Sequence, residues 1–160
     1  MQNVIGNVGR AATVIDVTLT TQAALYATGD VIGGKITIPN AMARDGASGI
    51  LKSVQLCSKA DLTVNFDLII FSDNPSATTF SENGAVAIDP ADVSKVLGVV
   101  QLATRFDLGT PVVTGLNNVD MALKSGAASR DLYACLVARG NHTPGSTSDI
   151  ILRFGIEQNQ

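Results

Sequence analysis

The sequence is poor in the residue types on which most enzymes and nucleic-acid binders rely. It holds one histidine, His142, in 160 residues. A metal centre built from several imidazoles is thereby excluded, as is any site needing two histidines. A Ser-His-Asp triad would have to use His142, and no serine sits in a nucleophile-elbow pattern. His142 lies in a Gly-Asn-His-Thr-Pro loop and is expected to be solvated. There is no Trp, and only two Tyr and five Phe. Glycan sites favour aromatic platforms, and several of these phenylalanines are needed for a core.

Charge is also scarce. Charged residues make up 16% of the chain, below the usual quarter, and a surface of Ser, Thr, Asn, Gly and Ala suits a protein held in an assembly. The net charge is −3 with no basic run, which argues against nucleic acid and against an anionic membrane as partners. No apolar run approaches the ~18 residues of a membrane span, and no charged n-region with an apolar h-region opens the sequence. The two cysteines, Cys57 and Cys135, fall inside strand-like segments. They read as small buried residues rather than a disulfide, in a chain that folds in a reducing cytoplasm.

What is present is β pattern and turn chemistry. Asp supplies twelve of the fourteen acidic residues, and Asp favours turns and caps where Glu favours helices. The clearest strand covers residues 63–71, T-V-N-F-D-L-I-I-F. Val64, Phe66, Leu68 and Ile70 recur at period two, and Ile69 and Phe71 predict cover on both faces at its end. It is expected to be a central strand. Further strands are predicted over residues 13–20, 31–38, 50–59, 99–104, 132–139 and from Ile150 onward, with Val112–Lys124 as one bent strand or a hairpin. Gly33-Gly34 predicts a bulge in the second strand. Residues 41–49 read as loop with a tight turn at Arg44-Asp45-Gly46, residues 72–87 as a polar loop anchored by Phe80, and residues 140–148 as loop. Asp89-Pro90-Ala91-Asp92 is a helix start, with Asp89 as cap and Pro90 in the first position. That helix should last about two turns and end before Gly98. Residues 1–12 form an arm and residues 13–160 one domain. The expected fold class is all-β: an eight-stranded antiparallel β-sandwich of jelly-roll type with one short connecting helix. An immunoglobulin-like sandwich is the alternative, but no Trp lies between the two cysteines.

Two motifs invite a chemical interpretation. The run from Gly29 to Lys35 carries glycines and a lysine at P-loop spacing. Ile36, however, stands where a magnesium-binding hydroxyl is required, and the chain continues as strand where a helix should begin. Asp73-Asn74 and the pair Asp89 and Asp92 could ligate calcium, but turn formation and helix capping account for them. No catalytic, cofactor-binding or metal-binding residue is therefore assigned.

The stretches Tyr26-Ala-Thr-Gly-Asp-Val-Ile-Gly-Gly34, Leu68-Ile-Ile-Phe-Ser-Asp-Asn-Pro-Ser76, Leu97-Gly-Val-Val100 and Leu132-Tyr-Ala-Cys-Leu-Val-Ala-Arg-Gly140 resemble, in order along most of the chain, small virion structural proteins of tailed bacteriophages. The members most similar are head decoration, or cement, proteins with a jelly-roll fold. The resemblance implies a non-enzymatic virion protein on the capsid surface, made in the host bacterial cytoplasm. Its implied partners are the phage major capsid protein and further copies of itself, as dimer or trimer. The arm and the loop over residues 72–87 are the first places to expect contacts. A receptor- or glycan-binding jelly-roll module of a phage tail or fibre is the alternative.

Overall fold

The computed structural model describes residues 9–160. Nine strands run through them: β1 (Arg10–Thr18), β2 (Val31–Ile38), β3 (Ser48–Ser58), β4 (Phe66–Phe71), β5 (Val96–Leu102), β6 (Arg105–Asp107), β7 (Val112–Lys124), β8 (Leu132–Ala138) and β9 (Ile150–Asn159). A six-residue 3-10 helix, Pro90–Lys95, precedes β5. The strands form two antiparallel sheets, ordered β1-β9-β3-β7-β6 and β2-β8-β4-β5. The pairings are nested: β4 with β5, β3 with β7, β2 with β8 and β1 with β9. This is one long hairpin rolled into two facing sheets, the jelly-roll arrangement expected from the sequence.

The alternation of apolar residues supplies the core. Leu51, Val54 and Leu56 of β3 and Leu152, Phe154 and Ile156 of β9 point inward from one sheet. Ile36, Ile38, Leu68 and Ile70 meet them from the other. Each such side chain contributes about 1.5–3 kcal/mol on full burial. β4 lies between β8 and β5, so it is the interior strand its sequence predicts. It begins at Phe66 rather than residue 63, and a bond from the Arg139 amide to the Asn65 carbonyl (2.9 Å) continues its register with β8 by one residue. β8 is covered on both faces, again as expected.

Several expectations need correction. The first strand starts at Arg10, not residue 13, since Arg10, Ala11 and Ala12 pair with Asn159, Gln158 and Glu157. Of the rest of the predicted arm, Gly9 accepts the Gln160 amide at 3.2 Å, and residues 1–8 lie outside the described residues. Val112–Lys124 is one strand, bent where Asn118 and Asp120 adopt φ of 64° and 50°. β6 adds a ninth strand, too short to show a period. The helix is 3-10, and it ends at Lys95 because Val96 already pairs with Phe71. Its predicted start is correct: Asp89 Oδ1 accepts the Ala91 amide at 2.8 Å. The Gly33-Gly34 bulge is present, with the register shifting between Ile32 and Ile36 and φ of 77° and 63° at the two glycines. A Cβ at Gly33 would sit 3.0 Å from the Leu19 Cβ, so the bulge also admits a close approach.

The polar loop over residues 72–87 folds back onto the four-stranded sheet. Phe80 meets Phe71 edge-on at 5.9 Å. Phe80, Val86 and Ile88 cover Val31, Phe71, Cys135 and Val137 in a second, smaller core. Cys135 is fully buried there, and burial pushes its thiol up to about 12. Cys57 belongs to the other sheet, and both thiols are free.

His142 is buried, contrary to expectation, at 7% exposure. Its ring stacks on Tyr26 at 5.1 Å and takes the edge of Phe66 at 5.4 Å. Backbone bonds in both directions between Tyr26 and His142 tie their loops together. The aromatic partners come from distant sequence, so the polar loop around His142 gave no sign of them. Tyr26 in turn donates its hydroxyl to Glu82. Burial holds the imidazole below its ordinary value of 6.5, partly offset by the Gly140 carbonyl and the Asp30 carboxylate. Because the folded value is the lower one, the unfolded chain takes up the proton first. The His142 contribution is complete above about pH 6.5 and is lost as pH falls toward the folded value. Melting between pH 7.5 and 5 should therefore show Tm declining by a few degrees, with His142→Phe flattening that slope. An unchanged slope in the variant would remove His142 as the cause.

Candidate interaction face

The two sheets differ in what covers their outer sides. The loop over residues 72–87 shields part of the four-stranded sheet. Among the described residues nothing covers the outer side of the five-stranded sheet, and the strand register arranges its residues in rows. One row runs Phe106, Val113, Cys57, Ile151 and Thr18 across β6, β7, β3, β9 and β1. The next holds Gly115, Gln55, Arg153 and Asp16, and the third Asn117, Ser53, Gly155 and Val14. A fourth holds Ala122, Ile50, Glu157 and Ala12. Four of the five residues in the first row are apolar, with Phe106 57% exposed at the margin.

The charges on this face are matched with one another. Arg10 pairs with Glu157 at 2.9 Å, and Lys52 pairs with Asp120. Arg153 holds Asp16 through two bonds of 2.7 Å. The Arg153 guanidinium keeps the Asp16 carboxyl below the usual carboxylate range. Exposed pairs of this kind add little stability. Their effect here is to leave the face nearly neutral, with Lys124 at its far end outside these pairs among the described residues. A surface whose ions are already paired and whose centre is apolar loses less on desolvation when a partner covers it.

Glycine keeps the centre low. A Cβ at Gly155 would lie 2.3 Å from the Ser53 Oγ, so a larger residue there would force that hydroxyl to rotate away. Next to it is a shallow depression of about 260 Å³ lined by Ala12, Val14, Lys52, Gly155 and Glu157. Five strands spaced ~4.8 Å apart give a face roughly 20 Å wide and about 30 Å long. That is on the order of 600 Å², somewhat under the ~800 Å² per partner of a standard interface.

The residues weighed for chemistry serve structure. Lys35 of the P-loop-like run donates to Asn74 Oδ1 at 2.8 Å and stands 6.0 Å from the Tyr133 ring centroid, on a strand with no helix after it. Asp73 accepts the Asn74 amide, and Asp89 caps the 3-10 helix. Asp92 accepts from Ala77, Thr78 and Lys95. Among the described residues no group of three or more His, Cys, Asp or Glu side chains is placed to hold a metal ion. The interaction face itself was invisible in the sequence, because its rows join residues up to 145 positions apart, as with Ala12 and Glu157. No protein-family model matches the chain and no curated protein matches it in sequence.

Proposed function

We propose that this protein is a non-enzymatic structural component of a tailed-phage virion, which decorates and cements the outside of the head by binding major capsid subunits. The observation that carries the proposal is the bare, nearly neutral outer face of the five-stranded sheet, with its apolar row through Val113, Cys57 and Ile151. The resemblance along the chain supports the same reading. A rigid sandwich offers such a face without ordering cost, and many equivalent sites on a symmetric shell let modest contacts sum to large stabilisation. A clamp that binds only the mature lattice stabilises it by mass action.

Co-sedimentation with mature heads lacking the protein, against unexpanded heads, tests this. Saturable binding to mature heads alone is expected. Ile151→Arg, which sets an unpaired charge in the apolar row, should weaken binding about tenfold or more, the effect of a centrally placed contact. Wild-type affinity in that variant would move the docking surface elsewhere on the molecule. Absence of binding to either head form would favour the receptor- or glycan-binding module, and a glycan array would then be the next measurement.

A further inference from the structure

β1 is an outer strand of its sheet, and its hydrogen-bonding parity can be read from its two ends. The Leu19 amide donates to the Ile150 carbonyl at 2.9 Å, and the Gln160 amide donates to the Gly9 carbonyl at 3.2 Å. In an antiparallel ladder the bonded positions alternate. The odd-numbered residues of β1 therefore bond to β9. Arg10, Ala12, Val14, Asp16 and Thr18 aim their N–H and C=O groups away from it. All five are exposed, and Val14, at the middle of the strand, is 67% exposed. The register to β9 is unbroken along the whole strand, with no bulge and no proline.

An edge of this length and regularity is a template for another strand. The other outer strands are protected. β6 has three residues, and Arg105 and Asp107 flank its centre. β2 carries the glycine bulge, and its start is bonded by the loop amide of Asn83 and the carbonyl of Gly84. β5 breaks register between Ile70 and Phe71 and has Met121 of β7 against Gly98.

We propose that β1 pairs antiparallel with β1 of a second copy about a twofold axis at Val14. In this register every outward-aimed residue finds a partner: Val14 meets Val14, Ala12 meets Asp16, and Arg10 meets Thr18. A shift by an odd number of residues would set free groups against groups already bonded. The strand's charges are self-complementary under the same axis. Arg10 of one copy lies diagonal to Asp16 of the other, within reach of a long side chain, and no like charges stand opposite. On the inner side Thr13 meets Ile15, a pairing of β-branched residues. Such an interface is isologous and closes at two copies. The two five-stranded sheets become one ten-stranded sheet, doubling the bare face to on the order of 1,200 Å². The inference rests on the edge geometry and stands whether or not the capsid reading does.

Sedimentation of the full chain across a concentration series is the test, read with two variants. The wild type should sediment at twice the 16.5 kDa subunit mass. Val14→Pro removes an amide that β9 does not use, and Val14→Lys places two ammonium groups face to face on the axis. Both should be monomeric with the circular dichroism of the wild type; if the proline variant unfolds, the lysine variant decides. In a Cys57→Ser background, Val14→Cys should cross-link on mild oxidation, because Cα atoms of a bonded pair lie about 5.5 Å apart, within disulfide range. Thr18→Cys should not, since it faces Arg10. A wild type monomeric at hundreds of micromolar overturns the proposal. So does a trimer, or a dimer that survives Val14→Lys.

Discussion

Replacing Phe66 with alanine is expected to cost about 3–5 kcal/mol, a fall in Tm of roughly 6–20 °C for a domain of this size. Phe66 is fully buried and opens β4. It stands opposite Leu102 on one side and Ala138 on the other. Ala138 is too small to reach into the space the ring would leave. The third neighbour, His142, is held by Tyr26 and by its own backbone bonds, so it cannot move in without breaking them. The cavity would therefore persist, which is the condition for the upper part of the range. The loss should appear as an earlier midpoint in chemical denaturation with unchanged slope. Phe66→Leu should recover much of it. A loss below about 1 kcal/mol in the alanine variant would mean that the site collapses, and would contradict the packing described.

Substituting Asp92 should have the second large effect, confined at first to one loop. Its carboxylate is 1% exposed, covered by its own loop rather than by the core. Oδ2 accepts the amides of Ala77 and Thr78 at 3.0 and 2.7 Å and the Thr78 hydroxyl at 2.8 Å. Oδ1 takes the Lys95 ammonium at 2.8 Å. Asp92→Ala leaves all of these donors without their acceptor, and an unmet donor costs more than the bond contributed. The loop over residues 72–88 should then exchange its amides quickly and admit protease. Tm should fall by several degrees as the Phe71 and Cys135 side of the sheet is uncovered. Asp92→Asn, which keeps the shape and loses the charge, should fall between. The Lys95 bond, with the Thr78 bonds behind it, holds the Asp92 carboxyl down to about 2 against an ordinary 3.8. With the folded value the lower, this contribution is complete above the ordinary value and is lost progressively as pH falls from about 4 through 2. Wild-type loop protection that persists at pH 3 is the expected result, and loss of protection by pH 4 would contradict the arrangement.

Much of the fold was legible because most strands carry their own signal. Phe66–Phe71, Leu132–Ala138 and the alternating tail from Ile150 need no partner to be recognised. The Gly33-Gly34 bulge and the Asp89 cap were likewise local. β6 and the first residues of β1 were not, since R-F-D is too brief for a period and Arg-Ala-Ala has little strand propensity. The burial of His142 depends on Tyr26 and Phe66, which approach it only through the folded topology. The candidate face follows the same logic. Each of its residues reads as the polar or indifferent half of an alternating strand, and only the register shows that Val113, Cys57 and Ile151 lie side by side. Likewise the pairing of Arg153 with Asp16 spans 137 positions, so a sequence window shows two separate charges where the folded face holds one matched pair.

The nested pairing has a consequence for how the chain reaches its folded state. β4 and β5 can meet early, but β1 must wait for β9, its one ladder partner among the described residues, at the other end of the described chain. Contacts of such separation are slow to form. At about 5–20 residues per second of synthesis, β1 would be exposed along both edges for roughly ten seconds or more before its partner is made. Val14, Ile15 and Val17 are all uncovered during that interval, and Arg10 and Asp16 are the charges set around them that disfavour pairing with a passing nascent chain.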